Sequence, residues 1–208
     1  MDVLAARPPV RKRPAQPVPG MAAKRRAVLD TATSLFAENG YRAVGIDRII
    51  AESGAAKMTM YRHFPSKSQL IVEVLKEHGR MRQFALEGAV AGSDDAHAQL
   101  KAVFEWYDAS FRDPAFSGCL FTRAVAEFND RSHQIHQLSV EQKLQETQFL
   151  QAILERLVSQ HQAAALARVF IMLLDGATLT AQINGPEAAA TEAWSAAERL
   201  LAVAGATR

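Results

Sequence analysis

Apolar residues recur every three or four positions along most of the chain, as expected where one face of a helix is buried. Runs of alternating β-branched residues, which are typical of strands, are absent from the sequence. The first apolar stripe consists of Val28, Leu29, Ala32, Leu35 and Phe36. It predicts a helix from Lys24 to Asn39-Gly40, because glycine adopts the left-handed conformation that ends helices. The pattern predicts an all-α fold.

Two short helices are predicted to follow. Isoleucines at one-turn spacing indicate a helix over residues 46–53, which Gly54 ends. A third helix is predicted over residues 56–63, because Pro65 cannot continue it. Two short helices joined by a tight glycine-containing turn, after a supporting helix, are typical of a helix-turn-helix unit. Its second helix places side chains against base edges in the major groove.

Six more helices are predicted after this unit. Ser66 and Gln69 form a capping box that opens the fourth helix, which continues to about Ala91. The others are predicted at residues 100–111, 118–128, 134–158, 162–183 and 187–204. The eighth helix is apolar on nearly all sides, so it must be covered from several directions.

These patterns divide the chain into three parts. Residues 1–20 contain several prolines and cations without apolar periodicity, which predicts a disordered basic arm that either follows DNA phosphates or stays solvated. Residues 21–66 are predicted to form the helix-turn-helix domain. Residues 67–208 are predicted to form a larger helical bundle for ligand binding and dimerisation.

Charge is distributed unevenly between these parts. Residues 1–67 hold 12 Lys and Arg against 5 Asp and Glu, whereas the other 141 residues hold 12 against 17. This asymmetry predicts that the N-terminal third meets a polyanion. No apolar run approaches the ~18 residues of a membrane helix. The single cysteine, Cys119, fits a reducing compartment, so we expect a cytoplasmic protein without membrane contact.

One segment carries a family resemblance. The stretch RRAVLDTATSLFAENGYRAVGIDRIIAESGAAKMTMYRHFPSKSQL, within about residues 25–75, resembles the N-terminal domain of TetR-family transcriptional regulators. Three parts carry the match: LFAENGY, the Ile-Ile-Ala-Glu-Ser-Gly approach to the turn, and the Thr-x-Tyr-x-x-Phe-Pro-Ser-Lys ending. The resemblance implies an all-α homodimer with a small DNA-reading domain and a larger ligand-sensing domain.

The resemblance also implies DNA-binding residues. Positions that often touch operator DNA are occupied by Thr59, Tyr61, His63 and Lys67, and positions of variable base readout by Lys57, Met58 and Arg62. Lys67 has independent support, because a lysine in the first turn opposes the helix dipole unless an anion binds there. Lys24 and Arg25 repeat that arrangement at the first helix. Gly45 stands where the family often has a hydroxyl residue, and it caps the second helix without a side-chain contact.

A second candidate site lies in the C-terminal part. The segment GCLFTRAVAEFND resembles a stretch found in one broad branch of the family, and aromatic residues cluster around it. A mostly apolar pocket for a small organic effector is therefore expected. Its candidate residues are the aromatic Phe104, Tyr107, Phe111 and Phe121 and the polar Arg123, Glu127, His133, His136 and Asp175.

The last two helices are rich in small residues. Alanines that allow close helix approach are Ala188, Ala189, Ala190, Ala193 and Ala197. The resemblance implies that these helices pair with their mates in a four-helix dimer interface, and the apolar eighth helix favours this arrangement. The alternative is that they cover only their own subunit.

The sequence favours a sequence-specific DNA-binding transcriptional regulator without a cofactor. We expect a repressor that a small-molecule effector releases from a near-palindromic double-stranded operator. One alternative is a helix-turn-helix protein without an effector. Another is an all-α metal-dependent enzyme that uses the carboxylates and histidines of residues 127–136, such as Asp130, His133 and His136. A P-loop and a Gly-x-Ser-x-Gly motif are absent from the sequence, and nothing else in it indicates an enzyme.

Overall fold

The computed structural model describes residues 19–205, which form nine helices and no strand. The helices are α1 (Pro19–Asn39), α2 (Ile46–Ser53), α3 (Lys57–His63), α4 (Lys67–Val90), α5 (Ala96–Phe111), α6 (Leu120–Glu127), α7 (Gln134–Leu154), α8 (Gln160–Asn184) and α9 (Ala189–Gly205). The all-α prediction is confirmed. Residues 1–18 of the predicted arm lie outside the described residues.

Helix boundaries follow local signals, and several differ from the predictions by two to five residues. α5 begins at Ala96 behind its Asp95 cap, four residues before the predicted start. α1 begins at Pro19, five residues before the predicted start, because proline fits the first position of a helix. α6 begins at Leu120 and not at Gly118, whose positive φ of 92° breaks the helix. α7 ends at Leu154 because residues 155–158 form a turn that leads into the Ser159 cap of α8.

We call α1, α2 and α3 the head and α4 to α9 the body. The head encloses a core in which Ile49, Met60 and Phe64 are fully buried. This core continues into the N-terminal half of α4, and Phe121 of α6 packs into it. The head therefore rests directly on α4 and α6, and Ile135 at the start of α7 joins the same core.

The second core lies between α5, α7, α8 and α9. At its centre the ring of Phe104 packs 5.9 Å from that of Phe170 and 5.3 Å from that of Trp194. α8 is long and apolar enough to cross a membrane by length and composition alone, a test that core helices of soluble proteins also pass. Part of α8 is buried in this core, but a second face leaves Met172, Leu179 and Ile183 exposed.

Candidate nucleic-acid interface and ligand cavity

The orientation of α3 is fixed by one apolar anchor. Gly54 ends α2 with φ +64°, and three residues later α3 begins. Met60 is fully buried beneath α3, whereas Met58 on the opposite side is 82% exposed. Because Met60 faces the core, the opposite side of α3 faces solvent.

The outward surface of α3 brings together five of the ten predicted DNA-binding residues. Lys57, Met58, Tyr61 and Arg62 are exposed, and Thr59 is half-buried. The Lys57 ammonium lies 3.7 Å from the Asp47 carboxylate, in a solvent-exposed pair. Such exposed pairs contribute little to stability, so the free-energy cost is small when Lys57 exchanges Asp47 for a phosphate. We call the outward surface formed by these five residues of α3 the α3 face.

Lys67 and Gly45 lie beside this face. The Ser66 side chain accepts a hydrogen bond from Gln69 N and caps α4 as predicted. The Lys67 ammonium donates to the Arg42 carbonyl at 3.2 Å, and burial lowers its pKa. Gly45 caps α2 without a side-chain hydrogen bond, and nothing in the described residues lies within 4 Å of the place that a Cβ would occupy.

Two predicted DNA contacts are directed inward. The Arg25 guanidinium pairs with Glu73 of α4 at 2.7 Å and lies 5.4 Å from the centre of the Phe64 ring, so it holds α1 on α4. The His63 side chain is turned towards the core, and its Nε2 has no hydrogen-bond partner among the described residues. Neither side chain projects from the α3 face, and their contact with DNA stays a prediction. Lys24 remains exposed on α1.

A cavity of about 520 Å³ lies where α1, α4 and α5 meet the loop before α6. Its lining residues are Thr33, Ser34, Ala37, His78, Met81, Arg82, Ala85, Trp106, Tyr107, Ser110, Phe111, Asp113, Ala115, Phe116, Ser117, Gly118, Cys119, Leu120 and Thr178. Its volume suits a small organic molecule. A groove of about 550 Å³ between α4 and α7 is lined mainly by charged and amide side chains instead.

Two of the residues predicted for the pocket, Tyr107 and Phe111, line this cavity. Phe104 and Phe121 are core residues, and the Asp175 carboxylate pairs with Lys143. The side chains of the remaining polar candidates form hydrogen bonds with backbone groups near α6. Arg123 donates to the Phe36 and Ser117 carbonyls, and the Glu127 carboxylate accepts from Tyr41 N. His133 accepts from Ile135 N, and His136 bonds the Phe128 carbonyl. None of these seven residues lines the cavity.

A chain of alternating charges lies at the inner end of the cavity. The Arg82 guanidinium pairs with the Glu146 carboxylate at 2.8 Å, and the Tyr107 hydroxyl bonds both groups. Lys143 pairs with Glu146 at 3.3 Å and also with Asp175. Burial raises the pKa of Glu146, but Arg82 and Lys143 outweigh this effect and hold the pKa at about 2. Two cations therefore balance two carboxylates.

Comparison with known proteins identifies the family from both the head and the body of the chain. Residues 28–74 match the family model described as bacterial regulatory proteins of the tetR family, and residues 96–197 match the tetracyclin repressor-like C-terminal domain. A TetR-family transcriptional regulator from Streptomyces coelicolor has a TM-score of 0.84 and 30% identity to this chain, covering 88% of this chain and 97% of that one. The chain belongs to the TetR family of transcriptional regulators.

Curated members of the TetR family match over shorter segments. The transcriptional activator FasR of Mycolicibacterium smegmatis is 32% identical over 82 residues, which are 39% of this chain and 37% of FasR. The transcriptional repressor KstR2 of Rhodococcus jostii is 32% identical over 106 residues, 47% of this chain and 50% of KstR2. The chain thus matches half or less of the length of these two relatives, which regulate transcription in opposite directions.

One carboxylate joins the head of this TetR-family chain to its body. The Glu127 carboxylate, at the end of α6, accepts hydrogen bonds from Tyr41 N at 2.9 Å and from Arg42 N at 2.6 Å. The Arg42 guanidinium in turn donates to the Glu127 carbonyl at 2.6 Å. A Cβ at Gly40, where φ is +83°, would lie 2.8 Å from the Glu127 carboxylate. We call these contacts the Glu127 latch.

The side chains of the alternative metal site, Asp130, His133 and His136, make local hydrogen bonds. The Asp130 carboxylate accepts from Ser132 N and Ser132 Oγ, and this lowers its pKa. His133 and His136 bond nearby backbone groups instead of facing a common point. Within residues 19–205, no three His, Cys, Asp or Glu side chains are grouped so that they could hold a metal ion.

Sequence reasoning missed the polar lining of the cavity. His78 and Arg82 are four residues apart on α4, and they continue the inward stripe of Ile71 and Leu75. A histidine and an arginine at apolar stripe positions are a usable signal, because charged residues are seldom buried without a partner.

Proposed function

We propose that this chain is a dimeric repressor whose α3 face binds a near-palindromic double-stranded operator and which a small organic effector in the cavity releases. It would act in the cytoplasm, on DNA. The observation that carries this proposal is the anchored orientation of α3, with Met60 inside and Lys57, Tyr61 and Arg62 outside. A rigid, short helix with exposed cations and an aromatic side chain fits a major groove.

The residues have distinct proposed roles. Arg62 reads base edges from the α3 face, where a guanidinium can bond guanine with two hydrogen bonds. Lys67, held against the Arg42 carbonyl at the edge of the head, contacts phosphate. Lys24 adds a second phosphate contact from α1, and the open N-terminus of α2 at Gly45 leaves space for the DNA backbone.

A homodimer is supported by the apolar residues that the single chain leaves exposed on α8 and α9. They are Met172, Leu179, Ile183, Leu200 and Val203, with exposures from 41% to 69%. Several large apolar side chains exposed on two adjacent helices are typical of a protein interface. A two-fold pair through α8 and α9 would set two α3 faces about one turn of DNA apart, ~34 Å.

The cavity and the head are connected through α1 and α6. Thr33, Ser34 and Ala37 of α1 line one side of the cavity, and Leu120 at the start of α6 lines another. The opposite end of α6 carries the Glu127 latch to the head. An effector that displaces α6 would therefore shift the head, and effector and operator would weaken each other by the same coupling energy.

Selection of bound duplexes from a random DNA pool tests the proposal. We expect the full chain to enrich inverted half-sites separated by about one helical turn. Arg62→Ala should change the enriched sequence, whereas Lys67→Ala should weaken binding to all sequences alike. Lys101→Ala, which removes an exposed cation of α5 far from the head, is the matched control and should do neither. Failure to enrich any duplex at low ionic strength would sink the proposal.

A further inference from the structure

We propose that the cavity selects an uncharged aromatic ligand carrying one hydrogen-bonding group, which pairs with the His78 imidazole. This inference specifies the ligand class of the cavity and therefore rests on the proposed function. It depends on three features of the described lining residues: connected aromatic walls, an arginine that is already paired, and the half-buried His78 imidazole, which no described residue hydrogen-bonds.

The aromatic walls form a connected series. The ring centres of Trp106 and Tyr107 are 5.3 Å apart, those of Tyr107 and Phe111 are 5.8 Å apart, and those of Phe111 and Phe116 are 5.1 Å apart. Neighbouring rings in this series are tilted or edge-on to each other, so each leaves a face or an edge to the cavity. Aromatic walls of this kind favour a flat ring system that can pack against them.

The charges disfavour an ionic ligand. Arg82 is the one lysine or arginine among the described lining residues, and Glu146 and the Tyr107 hydroxyl already bind it. An anionic ligand would have to take Arg82 from Glu146 and leave a carboxylate buried with fewer partners, which is costly. A cationic ligand would meet Arg82 itself. The carboxylate among the lining residues, Asp113, is exposed and accepts a hydrogen bond from Ala115 N.

His78 supplies the polar contact. The lining hydroxyls of Thr33, Ser34, Ser110 and Thr178 each donate to the carbonyl four residues earlier. The His78 ring packs 5.6 Å from Phe121, and no described residue hydrogen-bonds its nitrogens. Burial, with a smaller effect of Arg82, lowers its pKa to about 4. The imidazole is therefore neutral at pH 7 and offers one donor and one acceptor, as a phenol-type hydroxyl requires.

Four naphthalene probes of matched shape test this inference on the full chain at pH 7 by calorimetry or equilibrium dialysis. They are 2-naphthol, unsubstituted naphthalene, the anion 2-naphthoate and the cationic 2-naphthylmethylamine. We expect 2-naphthol to bind best, and about tenfold or more better than either ion, because it gains a hydrogen bond to His78 whereas burial of an ion is costly.

Variants of His78 sharpen the test. His78→Phe should reduce 2-naphthol affinity to that of naphthalene, whereas His78→Gln, which keeps a donor and an acceptor, should preserve the preference. His161→Phe, at an exposed position of α8, is the control and should change neither affinity. If His78→Phe does not fold, the ranking of the four probes on the unmodified chain still decides the question.

Two results would overturn the inference: tighter binding of 2-naphthoate than of 2-naphthol, or 2-naphthol affinity that is unchanged in a folded His78→Phe variant. DNA selection with the same preparation keeps the two proposals separate. Enrichment of a duplex by a chain that binds none of the neutral probes contradicts only the ligand class. A chain that binds 2-naphthol but no duplex contradicts the proposed function and leaves the cavity chemistry intact.

Discussion

The α3 face and the cavity treat charge in opposite ways. On the α3 face, Lys57 and Arg62 are exposed, and the ion pair of Lys57 with Asp47 is long and solvated. At the cavity, Arg82 is held by Glu146, and Lys143 joins the same chain of alternating charges. Exposed cations attract a polyanion, and salt screens that attraction. Buried charges that are already paired leave the cavity open to a neutral ligand, and salt has little effect on their interaction. This difference is the reason for proposing DNA as the partner of the α3 face and an uncharged molecule as the ligand of the cavity.

The largest effect is expected from breaking the buried charge chain. Glu146→Leu leaves Arg82 without its carboxylate in a buried site and should reduce the free energy of unfolding by about 3–5 kcal/mol. Urea denaturation measures this loss. Glu141→Leu, at an exposed position on the same helix, should change stability by no more than about 0.5 kcal/mol. Equal effects of the two variants would mean that the charges of the cavity are not coupled as described.

The next effect compares the two sides of α3. Met60→Ala removes a fully buried side chain from the core of the head and should cost about 2–5 kcal/mol in unfolding free energy. Met58→Ala alters an 82% exposed side chain and should leave stability nearly unchanged while altering operator preference. Thermal unfolding and DNA selection on both variants check this contrast. A stability loss in Met58→Ala as large as that in Met60→Ala would contradict the orientation of α3.

The Glu127 latch should show a smaller, functional effect. Glu127→Gln replaces a carboxylate that accepts two backbone hydrogen bonds, so contact between α6 and the head weakens. The coupling between ligand and operator, typically about 1–3 kcal/mol in allosteric proteins, should fall towards zero. The measurement is the ratio of operator Kd with and without saturating 2-naphthol. Glu105→Gln on the exposed side of α5 is the control. An unchanged ratio in Glu127→Gln would exclude the latch as the route.

The smallest expected effect is on the pH dependence of stability. The folded-state pKa of His78 is lowered from 6.5 to about 4, so its contribution is complete above pH 6.5 and is lost as pH falls towards 4. The pKa of Glu146 is lowered from 4.5 to about 2, which predicts a second loss from about pH 4.5 to 2. Urea unfolding midpoints measured from pH 7 to pH 2 should show both losses of stability. His78→Gln should remove the fall of the urea midpoint between pH 6.5 and 4 and leave the fall at lower pH. If the fall between pH 6.5 and 4 is unchanged in this variant, the imidazole of His78 is not held neutral in the folded state.

Local signals predicted the head well. Gly54 and Pro65 bound the two short helices through their own backbone preferences, so α2 and α3 lie at or within one residue of their predicted ends. The cavity was harder to predict because it forms where helices distant in sequence converge. Tyr107 and Phe111 were found as aromatic stripe residues, but the contact of Glu127 with Tyr41 and Arg42 was not predicted, since these partners lie about 85 residues earlier. Sequence spacing carries no information about such a contact.

The central claim is that the α3 face binds duplex DNA by neutralising phosphates and reading bases. The most direct measurement is the affinity of the full chain for a selected duplex across a series of salt concentrations, with Lys67→Ala in parallel. We predict that the logarithm of the association constant falls linearly with the logarithm of salt concentration, and that Lys67→Ala reduces the slope by about 1.8, which is about 0.9 for each of the two Lys67 side chains of the dimer. Binding that does not depend on salt, or no binding to any duplex at low salt, would contradict the account.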